Sequence, residues 1–135
     1  MAKLSSLRSD LSRESSGIEI QYPGTDIVCL IARIGNPAYE EHAKRLRRTA
    51  RAKFSTTEIT ELQAKQAIAP AIAQHVLKDV RNLQDDAGNA VTYTPEYGEA
   101  MLRDPSFHDF YDWVLECARN AELFKVSAAE EVKGN

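Results

Sequence analysis

The sequence predicts an α+β fold, a mainly helical single domain carrying a small N-terminal antiparallel β-hairpin. Three observations predict it. Ile18, Ile20 and Tyr22 alternate with Glu19 and Gln21, the period of a half-buried strand, and the apolar run DIVCLIARI follows after a Pro23–Gly24 turn. Downstream, a capping residue stands directly before proline at Asn36–Pro37, Thr94–Pro95 and Asp104–Pro105. Each pair opens a helix, because proline's preset φ suits the first helical position and its missing N–H has no partner to lose there. The last pair begins DPSFHDFYDWVLECARNAELFK, which carries more apolar surface than one core face needs.

At 135 residues the chain is long enough to bury a core without a disulfide or metal. Mixed charge summing to −3 speaks against strong nucleic-acid affinity. Cys29 and Cys117 lie in apolar surroundings, as small buried side chains in a reducing compartment do. No run approaches the roughly 20 apolar residues of a membrane span, and the N-terminus lacks the apolar core of a secretory signal. The expectation is a cytoplasmic protein.

Residues 1–16, rich in Ser, Arg and Asp, read as a disordered arm; 17–125 form the globular domain, and 126–135 lose periodicity and read as a flexible tail. Within the domain, Gly24 suits the positive φ of a type II turn. Asp26–Ile34 is apolar on both faces, which predicts a place between a partner strand and a covering helix. The helix opened by Asn36 runs to Lys53, with Tyr39, Ala43, Leu46 and Ala50 inward and a basic outer side spanning Lys44 to Lys53. Ser55–Glu58 has the form of a capping box, with Phe54 and Ile59 as its hydrophobic staple. From Ile59 to Leu83 apolar residues keep near one face, predicting the longest helix, kinked or broken near Ala69 by Pro70. Asp85–Asn89 is a turn, Val91–Tyr93 a short strand returning to the hairpin, and Thr94 opens a short helix with Tyr97, Met101 and Leu102 inward.

The final stretch predicts one helix over 104–125. At about 100° per residue, Phe107, Phe110, Tyr111, Val114, Leu115, Ala118 and Ala121 share one face. Trp113, Cys117 and Phe124 fall on a shoulder beside it, and His108, Asp109, Asp112, Glu116, Arg119 and Asn120 take the opposite, solvent side. The shoulder exceeds one-sided burial. It makes Trp113, Cys117 and Phe124 candidates for partner binding or self-association, with Arg47, Arg48 and Arg51 on the basic helix as the charged counterpart.

No chemistry of another kind stands out. His42, His75 and His108 lie on separate elements without ligand spacing, and no Gly-rich phosphate loop or nucleophile elbow occurs. Asp109, Asp112 and Glu116 line up on the solvent side, without the burial that acid–base catalysis needs. The reading is of a protein that is not an enzyme and uses no cofactor or metal.

Together, the hairpin, the ARIGN strand exit at Ala32–Asn36, the helical middle ending before DDAGNAVTYTPE and the terminal SFHDFYDWV helix are similar to the tail assembly chaperones of long-tailed bacteriophages and prophages, over Gly17–Lys125. Val80 is a departure, standing where similar proteins often carry tryptophan. The resemblance implies a protein that binds the long, aggregation-prone tape measure protein in the host bacterial cytoplasm. It implies that the client stays in solution until the tail tube protein polymerises around it, and that the chaperone is left out of the mature virion. Self-association is also implied, as is a second form extended at the C-terminus by a ribosomal frameshift, with Glu130–Asn135 as the junction. The rival reading is a small nucleic-acid-binding regulator that uses the basic helix Lys44 to Lys53.

Overall fold

The computed structural model describes residues 1–54 and 59–126. The hairpin forms as its alternation predicts: β1 (Ile18–Gln21) pairs antiparallel with β2 (Val28–Ile31), Ile18 opposite Ile31 and Gln21 opposite Val28. Gly24 takes φ 78°, the left-handed conformation the turn requires. Asn36 caps α2 (Pro37–Lys53) by accepting from the Tyr39 amide at 3.1 Å, and Tyr39 and Ala43 are buried on its inner side.

The largest correction concerns Ile59–Leu83. The helix there is α3 (Glu61–His75), which continues through Pro70 without breaking in two. Val76 then turns the chain into β3 (Leu77–Arg81), and β3 pairs antiparallel with β2 to give the sheet order β1-β2-β3. Leu77 and Val80 imitate helical spacing because the β2–β3 register shifts between Leu30 and Ile31, so two residues three apart are both buried. The strand wins because β2 is embedded in the core, with Cys29 and Ile31 fully buried. Its second edge needs backbone partners that a helix cannot supply. The Ala32 amide donating to the Val76 carbonyl at 2.8 Å extends that pairing. A capping box does open α3, but it is Thr60 and Gln63, reciprocally bonded at 3.0 and 3.1 Å. The box read at Ser55–Glu58 lies outside the described residues.

Two short strands, β4 (Leu83–Gln84) and β5 (Ala90–Val91), pair with each other around the Asp85 turn and do not return to the hairpin. Asp85 organises that turn by accepting from the amides of Ala87 and Asn89, which makes the local pairing the nearer option. Tyr93 instead drops into the core and donates its hydroxyl to the Leu77 carbonyl at 2.7 Å. It crosses α4 (Pro95–Arg103) at Gly98, where an added Cβ would collide with its phenol oxygen. Leu102 is buried as expected, whereas Tyr97 is 41% exposed.

The 104–125 stretch is three elements, not one helix. Asp104 caps a 3-10 turn over Pro105–Phe107, α5 covers His108–Arg119, and a second 3-10 turn covers Ala121–Phe124. Asn120 breaks the run by accepting from the Glu122 amide at 3.1 Å, a local bond that competes with helix continuation. Phe110, Tyr111, Val114, Leu115 and Ala118 are buried as the stripe predicts, while Phe107, in the preceding turn, is 38% exposed. α3 lies between α2 and α4, and α5 contributes to the same core as the sheet.

The N-terminal arm is ordered, against expectation. It contains a 3-10 turn over Leu4–Ser6 and α1 (Leu11–Ser16), capped by Asp10. Backbone bonds fasten it to the chain's other end: the Asp10 amide donates to the Phe124 carbonyl at 2.7 Å and the Val126 amide to the Arg8 carbonyl at 3.0 Å. Arg33 and Glu14 add an ion pair at 3.4 Å. No arm residue is buried, so polar contacts that leave no apolar period in the sequence hold it in place. The tail expected over 126–135 lies, from residue 127 on, outside the described residues.

Candidate partner-binding groove

α5 has two flanks on either side of its buried stripe. One carries Trp113 and Cys117. The Trp113 ring lies 4.9 Å from the Tyr22 ring, and Tyr22 lies 5.5 Å from Phe110, so the residue leading into the hairpin turn closes over this flank edge-on. Trp113 and Cys117 are half-buried and pack against the core. Cys29, fully buried in β2, has its thiol pushed up to about 12, first by burial and then by the neighbouring Cys117; both cysteines are free.

Phe124 departs furthest from its predicted place. The break at Asn120 carries it off the helical shoulder, and it is fully buried. The Arg33 guanidinium stands 5.9 Å above its ring, and the Ser9 hydroxyl donates to its carbonyl at 3.3 Å. It is core, and the arm covers it.

The other flank opens into a groove of about 410 Å³ between α2, α3 and α5. Ile68, Leu115 and Tyr111 give it an apolar floor, and Ala64 and Ala67 keep the α3 wall low. Tyr111 is 2% exposed and donates its hydroxyl to the Lys65 carbonyl at 2.9 Å; burial pushes its pKa upward. Lys65 reaches Asp112 at 2.7 Å, with its ammonium 5.2 Å over the Tyr111 ring. The acidic side of α5 is therefore met from α3, not by the α2 arginines.

Arg47, Arg51 and Arg119 line this groove and form no ion pair among the described residues. Arg48 is exposed on α2 but outside the groove lining. Of Arg47, Arg48 and Arg51, grouped together in the sequence, the structure brings Arg47 and Arg51 alongside Arg119 and Lys65, whose place follows from helix packing. A second hollow of about 430 Å³ shares Ala50 and Ala67 with the first, so the two adjoin across the α2–α3 seam.

Folding also brings His42 and His75 together, their rings 5.2 Å apart and perpendicular, although no sequence spacing relates them. Burial lowers the pKa of His75, with His42, Lys78 and Arg45 adding to the effect. Among the described residues no three His, Cys, Asp or Glu side chains gather closely enough to hold a metal ion, and no helix is long and apolar enough to cross a membrane.

Comparison with known proteins decides the family. The sequence model of a family described as "YdaY prophage protein" matches residues 34–135. The chain belongs to that prophage protein family. The matched span begins after the hairpin and takes in α2, α3 and α5, and so every wall of the groove lies within it. No curated protein matches the chain, and no solved structure does.

Proposed function

We propose that this prophage protein is a tail assembly chaperone, which binds the tape measure protein and keeps it in solution while the tail is assembled. The observation that carries the reading is membership of a prophage family over 34–135, in a chain whose sequence resembles such chaperones. The groove supports it. A holding chaperone needs an apolar trough that receives helices of a partner, and a charged rim that keeps the free form from associating through it. In this reading the protein works in the host cytoplasm without catalysis and leaves before the virion is complete.

Co-expression with the tape measure protein of the same prophage tests the proposal. The expected result is a soluble complex that co-purifies and is weakened only modestly by a rise from 50 to 500 mM salt, because apolar capture is not screened even where its charged rim is. A tape measure protein that stays insoluble sinks the reading. The exposed arginines of α2 keep a nucleic-acid regulator as the rival, and phosphate binding would collapse over the same salt range.

A further inference from the structure

We propose that the groove between α2, α3 and α5 takes an acidic amphipathic helix, whose aliphatic side chains enter the hollow while flanking carboxylates meet Arg47, Arg51 and Arg119. The proposal deepens the chaperone reading and rests on it only for the identity of the partner chain. Charge complementarity is the argument. The whole chain carries −3, yet among the described residues the groove gathers four cations, Arg47, Arg51, Lys65 and Arg119, against two acids, Glu61 and Asp112. The Lys65–Asp112 pair at 2.7 Å removes one of each sign, which leaves three guanidiniums and one carboxylate among the described lining residues. Guanidinium forks bind carboxylates through two parallel hydrogen bonds, and a partly apolar setting strengthens them.

Shape points the same way. The floor is aliphatic at Ile68 and Leu115, and the volume of about 410 Å³ is that of a small-molecule-sized cleft, enough for a few side chains. The adjoining hollow of about 430 Å³ continues it across Ala50 and Ala67, so two neighbouring hollows are open to anchor side chains of one partner segment. Nucleic acid fits less well. Tyr111, in the 410 Å³ groove, is 2% exposed and presents almost no face for a base to stack on, and Phe54, in the adjoining hollow, is half-buried with the Lys53 ammonium 5.6 Å over its ring.

The test uses the full chain and two synthetic helical peptides of one design, with leucines at helical spacing flanked either by glutamates or by lysines. A single-stranded DNA oligonucleotide serves as the phosphate probe, and all are read by fluorescence anisotropy. The Glu peptide is expected to bind at least about tenfold more tightly than the Lys peptide. Arg47→Glu/Arg51→Glu is expected to reverse that order with an unchanged far-UV spectrum, and Arg47→Lys/Arg51→Lys, which keeps the charge but loses the forks, to keep the preference for the Glu peptide at reduced affinity. Equal or absent binding of both peptides overturns the proposal, as does a charge-reversed variant that behaves like wild type. DNA binding tighter than that of the Glu peptide overturns it in favour of a phosphate ligand. If the Glu peptide binds but the tape measure protein does not co-purify, the chaperone reading falls and the groove assignment stands. If the tape measure protein co-purifies equally with Arg47→Glu/Arg51→Glu, the groove assignment falls and the chaperone reading stands.

Discussion

The two flanks of α5 have opposite fates. The flank with Trp113 and Cys117 looks uncovered in the sequence because it is apolar, and the fold closes much of it with Tyr22 and the sheet. The flank with Asp112 and Arg119 looks like an ordinary solvated face, and together with Leu115 at the edge of the buried stripe it lines the groove. Apolar excess marked the surface that the chain uses for itself, whereas mixed charge beside a few aliphatic residues marks the surface left open. This follows from burial energetics: a chain first satisfies its own large apolar side chains, and a surface held in reserve needs charges to stay dispersed.

Substitutions can test this contrast, beginning with the largest effect. Phe124→Ala removes a fully buried ring and is expected to cost about 3–5 kcal/mol in a denaturant melt. It is also expected to loosen the arm, so that limited proteolysis cuts within residues 1–16 first. A loss below about 1 kcal/mol would return Phe124 to the surface. Trp113→Ala removes a half-buried ring and its contact with Tyr22, and is expected to cost about 1–2 kcal/mol. Arg47→Glu/Arg51→Glu, both exposed, is expected to shift stability by no more than about 0.5 kcal/mol while changing partner binding.

Two further measurements resolve finer differences. A thiol reagent applied to the native chain is expected to modify half-buried Cys117 before Cys29, whose thiol is held protonated by burial. Peptide mapping of the labelled protein checks the order. The His42–His75 contact adds an acid sensitivity. Because the folded state lowers the His75 pKa, the unfolded chain binds the proton more readily. Stability is therefore expected to be full above the unfolded value of about 6.5 and to decline as pH falls through it. His75→Asn is expected to flatten that part of the profile in melts recorded from pH 8 to 5.

Much of the fold was legible where local chemistry decides it. The hairpin came from alternation, and α2, α4 and the turn before α5 came from Asn36, Thr94 and Asp104 ahead of proline. The failures share a cause. Leu77 and Val80 carry a helical spacing that a register shift makes compatible with a strand, and only the needs of β2 decide between them. Asn120 looked like a helix surface residue until its side chain bonded back to the Glu122 amide. Of the candidate site, Arg47 and Arg51 were visible as a basic arc. Their convergence with Arg119 on an aliphatic floor depends on the packing of three helices, which no local pattern encodes.

On the reading proposed above, a partner chain meets the arginine flank of α5 and not its tryptophan flank. Arginine-specific labelling of the purified complex with the tape measure protein, read by mass spectrometry against the free chain, tests it most directly. Arg47, Arg51 and Arg119 are expected to be protected in the complex, while Arg8 and Arg81, outside the groove lining, label as before. A stable complex in which the three groove arginines label as they do in the free chain would contradict it.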